Sequence, residues 1–117
     1  NHAAACGGVA EAVQRVRAAA AQREKRPPIF VEAENMQEVV NLCALEPDRI
    51  MLDNMSNDLL RQAVEYIRAN NPSIVIEATG GYTVETAVAA ARTGVDLISI
   101  GSLTHSAPAL DLSMLFD

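Results

Sequence analysis

Four short apolar runs recur at nearly constant spacing along this chain of 117 residues. They begin near Ile29, Ile50, Ile74 and Leu97, so that successive starts lie 21 to 24 residues apart. One amphipathic segment with helical periodicity separates each run from the next. Strands joined by helical crossovers pair in parallel, and continuously apolar strands belong to a sheet that is covered on both faces. The spacing therefore predicts a parallel α/β fold built from repeated βα units.

The segments between the runs carry helix-boundary signals. Asn35, with Glu38 three residues later, resembles a capping box, and Ser56 and Thr83 are suitable N-caps for the next two helices. Gly94 is placed to end the helix that Thr83 begins. We expect this helix to point Val84, Ala87, Val88 and Ala91 inward, and we expect further helices from about Val9 to Ala21 and, in the tail, around Ala109 to Leu115.

Two architectures accommodate these units, an open doubly wound sheet and a (β/α) barrel. Four units are about half of an eight-unit barrel, which normally takes about 250 residues. The chain also opens on Asn-His-Ala-Ala-Ala without an initiating methionine. We therefore expect it to be part of a longer protein.

Acidic residues outnumber basic ones, with 15 Asp and Glu against 9 Lys and Arg and a formal net charge of −6. This balance disfavours binding to nucleic acid or to an anionic membrane surface, since both require a basic field. No apolar run approaches the roughly 18 residues of a membrane span, and the start carries no signal-peptide pattern. Cys6 and Cys43 form neither a disulfide framework nor a thiolate zinc motif. We expect a cytoplasmic protein.

Acidic residues follow the predicted strands at the end where ligands bind in both architectures. Glu32 and Glu34 come after the first strand, Asp53 after the second and Glu77 after the third. A single acid at such a place is commonly solvated or caps the next helix, but the repetition favours a shared ligand. Glu32 is the better candidate of the first pair because Glu34 adjoins the helix cap. Of Glu32, Asp53 and Glu77, the weakest candidate is Glu77, which could instead hold a neighbouring loop.

Glycines follow the third and fourth strands. Gly80 and Gly81 precede a helix start, and Gly101 follows the last apolar run. Backbone N–H groups without a nearby Cβ, at the positive end of a helix, are what a phosphate needs, and barrels commonly place such a cradle on their last two strands. A lone Gly-Gly is more often only a turn. His105 could bond a phosphate oxygen or could simply cap the tail.

Four sequence segments, taken in order, resemble one enzyme family. VEAEN at 31–35, IMLDNM at 50–55, EATGG at 77–81 and ISIGSLTHSAPALD at 98–111 resemble the C-terminal half of the quinolinate phosphoribosyltransferases, also called nicotinate-nucleotide pyrophosphorylases (carboxylating). The resemblance runs over nearly the whole chain, and the combination of segments is far more specific than any one of them. It implies a barrel domain and a homodimer or higher homo-oligomer.

The resemblance also implies a reaction and a set of site residues. Phosphoribosyl pyrophosphate and quinolinate would give nicotinate mononucleotide, pyrophosphate and carbon dioxide with Mg²⁺, in the synthesis of NAD. Carboxylates would bind the ribose hydroxyls, directly or through Mg²⁺, and offset positive charge at the anomeric carbon, while backbone and side-chain donors would hold the phosphate. By this resemblance the carboxylates are Glu32 and Asp53, the phosphate ligands are Thr79, Gly80, Gly81 and Gly101, and His105 lies beside the phosphate.

Two alternatives stay open. The Arg and Lys residues that clamp the acceptor in this family lie mostly upstream of Asn1, so a related phosphoribosyltransferase with a different acceptor would share these segments. The chain could also be a non-catalytic βα half-barrel scaffold that self-associates through its edge strands.

Overall fold

The computed structural model describes residues 5–21, 23 and 26–105, with His105 described for its main chain only. Helices and strands alternate along these residues, as the spacing predicts. Their bounds are α1 Val9–Ala20, β1 Phe30–Ala33, α2 Met36–Cys43, β2 Arg49–Asp53, α3 Asn57–Asn70, β3 Val75–Thr79, α4 Val84–Ala91, β4 Leu97–Ile98 and α5 Ser102–His105.

The four strands form one parallel sheet in the order β1-β2-β3-β4. Each strand pairs with its neighbour in the sequence, so Glu32 lies opposite Met51 and Met51 lies opposite Glu77. Sequential order with a helix between each pair is the arrangement of a (β/α) barrel rather than of a doubly wound sheet, in which the order reverses. The predicted fold class is confirmed, and the described residues make up about half of such a barrel.

The hydrophobic core lies between the sheet and its helices. Ile50 and Leu52 of β2 and Ile76 and Ala78 of β3 are fully buried there, because alternate strand residues point to the helical side. The helices contribute Val39, Leu42, Leu60, Ala63 and Ile67 to the same core. Cys43 lies among them, and burial raises the pKa of its thiol.

The predicted caps are confirmed. Asn35 accepts the N–H of Glu38 at 3.0 Å, and Ser56 accepts the N–H of Leu59 at 3.3 Å. In an ordinary capping box, the Glu38 side chain would accept the N–H of the N-cap residue Asn35. At α2 the Glu38 carboxylate instead accepts the N–H of Glu34, at 2.8 Å. Thr83 caps α4 through a capping box with Thr86. These bonds satisfy N–H groups that a helix start leaves without partners.

Two aspartates tie neighbouring strands together at the amino end of the sheet. Asp48, just before β2, accepts the N–H of Ile29 at 2.7 Å, and Asp96, just before β4, accepts the N–H of Ile76 at 2.7 Å. Arg68 of α3 donates to Asp96 at 2.6 Å. Partial burial acts to raise the pKa of Asp96, but the hydrogen bonds from Arg68 and Ile76 and the charge of Arg68 outweigh it and lower that pKa.

The inward face predicted for α4 is wrong. Val84 and Val88 are 59% and 56% exposed, Ala91 is exposed, and Ala87 is half-buried. The fully buried residue of this helix is Ala90. The sheet ends at β4 in the described residues, so no further element covers the side of α4 that carries the two valines.

Strand bounds also differ from the prediction. Glu32 and Glu77 were predicted to follow their strands, but Glu32 lies within β1 and Glu77 lies in the middle of β3. β4 has only two residues, although the Ser99 N–H still donates to the Ala78 carbonyl at 3.0 Å. The helix expected around Ala109 to Leu115 lies outside the described residues.

The longest helix of the described residues, α3, has 14 residues. None of the helices described is long and apolar enough to cross a membrane.

Candidate active site

The face of the sheet opposite the helices is lined by alternate strand residues. Glu32 and Asp53 lie on this concave face. The strand register arranges its side chains in rows across the sheet. From the amino to the carboxyl end, the rows are Phe30, Arg49 and Val75, then Glu32, Met51, Glu77 and Leu97, and then Asp53 and Thr79.

Asp53 ends β2 with a hydrogen-bond donor on each carboxylate oxygen. The hydroxyl of Thr79, which is opposite it on β3, donates to Oδ1 at 3.1 Å, and the side-chain amide of Asn54 donates to Oδ2 at 3.0 Å. A carboxylate accepts up to about four hydrogen bonds, so both oxygens keep lone pairs for a ligand. Asp53 is therefore fixed in orientation and still able to bind a ligand hydroxyl.

Glu32 lies on the neighbouring strand, one row closer to the amino end. Its partner Met51 is two residues before Asp53, which places the Cα atoms of Glu32 and Asp53 about 8 Å apart for ordinary strand spacing. The Glu32 side chain is exposed and makes no hydrogen bond within the described residues. These two carboxylates are close enough to contact one sugar from two sides.

Glu77 lies deeper on the concave face than the sequence predicts. Its carboxylate accepts from Arg49 at 2.7 Å and from the Ser99 hydroxyl, and only 7% of its side chain is exposed. Arg49 also stacks on the ring of Phe30, 4.3 Å from the centroid. Buried charges require partners of this kind, so Glu77 acts as a structural anchor between β2, β3 and the residue after β4.

The two glycines after β3 differ in their surroundings. Both have left-handed backbones, with φ of 94° at Gly80 and 62° at Gly81. A Cβ on Gly80 would lie 2.5 Å from Asn54 Oδ1 and 2.8 Å from the Asn54 main-chain nitrogen, whereas a Cβ on Gly81 would meet nothing within 4 Å. Gly80 thus permits close packing of the two strand-end turns, and Gly81 leaves open space for a ligand.

An open cavity of about 360 Å³ lies between these turns and the starts of α3 and α4. Asn54, Ser56, Gly81 and Tyr82 are among the residues that line it, and no charged side chain does. Partial burial, and to a lesser degree the Asp53 carboxylate, raise the pKa of Tyr82. The cavity is uncharged and is lined by both polar and apolar groups.

Gly101 and His105 frame the short helix α5. The Gly101 carbonyl accepts the N–H of Thr104 at 3.0 Å and its hydroxyl at 2.9 Å, so Gly101 begins this helical turn. β4 adjoins β3, and Gly101 comes three residues after β4, so it follows the strand that neighbours β3. The main chain of His105 ends α5, and its side chain lies outside what the structure describes.

Three residues that matter to this geometry were not assigned a role from the sequence, namely Asn54, Arg49 and Ser99. Asn54 has a positive φ of 51°, which asparagine tolerates better than most residues. The asparagine directly after Asp53 could have indicated a left-handed turn at the end of β2. The partnership of Arg49 with Glu77 depends on strand register, which sequence spacing alone does not fix.

Fold and site together define a (β/α)-barrel protein with paired carboxylates and a glycine turn at the carboxyl ends of its strands. The family model described as quinolinate phosphoribosyl transferase, C-terminal domain, matches residues 1–115. The chain belongs to this family, as its sequence segments indicate.

Known relatives agree with this assignment. The chain is 44% identical over 115 residues to a probable nicotinate-nucleotide pyrophosphorylase [carboxylating] of Synechocystis, covering 97% of this chain and 38% of the relative. It is 37% identical over 114 residues to the human nicotinate-nucleotide pyrophosphorylase [carboxylating], covering 97% of this chain and 37% of that protein. The solved structure of the nicotinate-nucleotide pyrophosphorylase from Francisella tularensis superposes with a TM-score of 0.77 at 33% identity, over 89% of this chain and 35% of that one. The chain thus spans less than two fifths of the length of these relatives.

Proposed function

We propose that the protein carrying this chain is a quinolinate phosphoribosyltransferase and that these residues supply the ribose- and phosphate-binding part of its site. The observation that carries the proposal is the hydrogen bond between Asp53 and Thr79. It places a carboxylate suited to ribose hydroxyls directly beside the glycine turn suited to a phosphate. Membership of the family and the names of the curated relatives support the same activity.

The reaction would place its largest charge change beside Glu32 and Asp53. In phosphoribosyl pyrophosphate, the bond from the anomeric carbon to pyrophosphate breaks, and the leaving oxygen takes the electron pair. The pyridine nitrogen of quinolinate forms the new bond, and the neighbouring carboxylate leaves as carbon dioxide and is replaced by a proton. Carboxylates beside the ribose would stabilise the positive charge that develops on the anomeric carbon as the old bond breaks and before the new bond is complete.

The phosphate of the same substrate would lie on the next two strand ends. Gly81 offers an open approach to its main chain, and Gly101 begins the helical turn that follows the adjacent strand. Gly80 allows the turn after β3 to pack closely against Asn54, and the Thr79 hydroxyl links this turn to Asp53. We propose that these four residues, with His105 beside them, form the phosphate subsite.

Mg²⁺ is the proposed cofactor. Carboxylate oxygens are the donors that Mg²⁺ prefers, and this ion usually keeps several waters while binding one or two carboxylates and substrate phosphates. Within the described residues no group of three or more His, Cys, Asp or Glu could hold a metal ion, so a site made by protein alone does not fit. Glu32 and Asp53 would hold the ion partly through waters, and the bound ion would neutralise charge on the pyrophosphate.

The described residues offer few groups that could bind quinolinate, the acceptor of the phosphoribosyl group. Quinolinate carries two carboxylates, and the concave face of the described residues presents Arg49, which is already paired with Glu77. Its counter-charges would come from other parts of the protein or from a second subunit of the proposed homodimer. A related enzyme with another acceptor is therefore the second candidate.

An assay in a full-length protein that contains this segment tests both candidates. Phosphoribosyl pyrophosphate is supplied with quinolinate, or with nicotinate as the matched acceptor that lacks the second carboxylate. Formation of nicotinate mononucleotide and carbon dioxide from quinolinate, with little product from nicotinate, supports the proposal. Product formation with nicotinate but not with quinolinate would favour the second candidate, a related enzyme with another acceptor.

The scaffold alternative has its own test. Phe30 and Leu97 on the two outer strands are 49% and 41% exposed, and such apolar edges favour self-association. A protein that forms oligomers, yet neither binds phosphoribosyl pyrophosphate nor turns it over, would support a non-catalytic scaffold. We expect instead a cytoplasmic homodimer that does both.

A further inference from the structure

One residue between the two halves of the site has no part in the function proposed above. Asn54 lies between the carboxylate of Asp53 and the glycine turn that follows β3. We propose that Asn54 is a positioning residue, which fixes the Asp53 carboxylate and the Thr79–Gly81 turn relative to each other. This inference rests on the proposed function, because the two groups that Asn54 holds would bind the ribose and the phosphate of one substrate.

The side-chain amide of Asn54 holds one side of the carboxylate. Its Nδ2 donates to Asp53 Oδ2 at 3.0 Å, while the Thr79 hydroxyl holds Oδ1 at 3.1 Å. A carboxylate with one donor on each oxygen does not rotate about its Cβ–Cγ bond without losing one of them. Since hydrogen bonds to a charged acceptor are stronger than neutral ones, the pair of donors defines the plane of the carboxylate.

The main chain of Asn54 holds the neighbouring turn. Its N–H donates to the Thr79 carbonyl at 3.0 Å, and its side-chain oxygen packs where Gly80 has no Cβ. The same residue therefore contacts Asp53 through its amide nitrogen and Gly80 through its amide oxygen. Any shift of the turn that carries the proposed phosphate subsite moves Asn54 and, with it, the donor on Asp53.

The backbone and the chemistry both suit asparagine at this position. The φ of 51° is in the left-handed region, which asparagine, aspartate and glycine tolerate best. Glycine would keep the backbone and lose the donor. Aspartate would keep the shape and the backbone but put a second carboxylate against Asp53 in place of a donor. Because both variants tolerate the backbone conformation of Asn54, a change in substrate affinity in either one reports on the side chain and not on the backbone.

The test uses a full-length protein that contains this segment. The affinity for phosphoribosyl pyrophosphate is measured by calorimetry without an acceptor, and kcat and KM are measured in the complete assay. We expect Asn54→Gly to weaken binding about tenfold, the loss of one hydrogen bond to a charged group, and Asn54→Asp to weaken it further. Asn71→Asp is the matched control, since Asn71 follows α3 at the amino end of the sheet and accepts from the Ser73 N–H and hydroxyl, as a carboxylate would equally well. We expect the control to bind like the wild type.

A double-mutant cycle separates positioning from a general effect on the fold. If Asn54 acts through Asp53, then Asn54→Gly has little further effect on affinity once Asp53→Ala has removed the carboxylate. The same tenfold loss in both backgrounds would overturn the inference, and so would unchanged affinity in Asn54→Gly. Thermal unfolding midpoints of the variants identify a loss of fold.

The outcomes for this inference and for the proposed function are distinguishable. A wild-type protein that binds phosphoribosyl pyrophosphate but makes no nicotinate mononucleotide would refute the proposed reaction, while the binding cycle would still decide the role of Asn54. If the protein forms product but the effects of Asn54→Gly and Asp53→Ala on affinity are additive, the proposed reaction is supported and the role of Asn54 is refuted. A wild-type protein that does not bind phosphoribosyl pyrophosphate would overturn both.

Discussion

Alanine at each of the two glycines after β3 provides a matched pair of substitutions. Both positions have positive φ, so Gly80→Ala and Gly81→Ala each place an L side chain in the left-handed region at a cost of about 1 kcal/mol. Gly80→Ala also brings a Cβ to 2.5 Å from Asn54 Oδ1 and 2.8 Å from the Asn54 main-chain nitrogen, whereas Gly81→Ala meets nothing within 4 Å. Overpacking of this kind costs about 1–3 kcal/mol, and the main-chain contact is not relieved by a side-chain rotation.

We therefore expect Gly80→Ala to lower the free energy of unfolding by about 3 kcal/mol and Gly81→Ala by about 1 kcal/mol. Urea unfolding of a full-length protein that contains this segment measures both values. The difference between the variants isolates the contact with Asn54, because the gain from a less flexible unfolded chain is common to both. Equal losses in the two variants would show that the turns do not pack rigidly against each other and would refute this reasoning.

Three further predictions concern the carboxylates and the glycine after β4. In a full-length protein, Glu32→Ala or Asp53→Ala should lower kcat at least tenfold while the protein remains folded, and wild-type turnover in both would refute their role. Gly101→Val should weaken phosphoribosyl pyrophosphate binding in calorimetry by putting a side chain beside the phosphate, and unchanged affinity would count against that subsite. Asp96→Asn should lower the free energy of unfolding by about 1 kcal/mol at neutral pH. Because the folded protein lowers the pKa of Asp96, this stabilisation is present above the ordinary value of 3.8 and is lost as the pH falls below it. A difference between wild type and Asp96→Asn that stays constant from pH 7 to pH 3 would contradict this account.

The order of the elements could be predicted from the sequence because each βα unit carries its own signals. Apolar runs marked the strands, and Asn35, Ser56 and Thr83 marked the helix starts, all through interactions within a few residues. The face of α4 could not be predicted in the same way. Periodicity shows which residues share a face, but what covers that face depends on elements distant in the sequence.

In the candidate site, too, features set by neighbouring residues could be predicted from the sequence, and contacts between distant segments could not. The positions of Glu32 and Asp53 directly after two apolar runs were enough to place both at the carboxyl end of the sheet. The depth of Glu77 and its bond with Arg49 depend on the register of two strands, and the contact of Asn54 with Gly80 depends on the packing of two turns. Contacts between segments of this kind are set by three-dimensional packing, which a single sequence does not display.

The aspartates before β2 and β4 have a consequence for how this domain tolerates sequence change. Each closes the amino end of the sheet with a carboxylate bond to the preceding strand, far from the carboxyl ends where the proposed site lies. Strand association at this rim is thereby secured by side chains that take no part in the proposed site at the other rim. At the carboxyl end, exposed Glu32 and the open position Gly81 should therefore tolerate substitution better than Gly80, whose turn packs against Asn54.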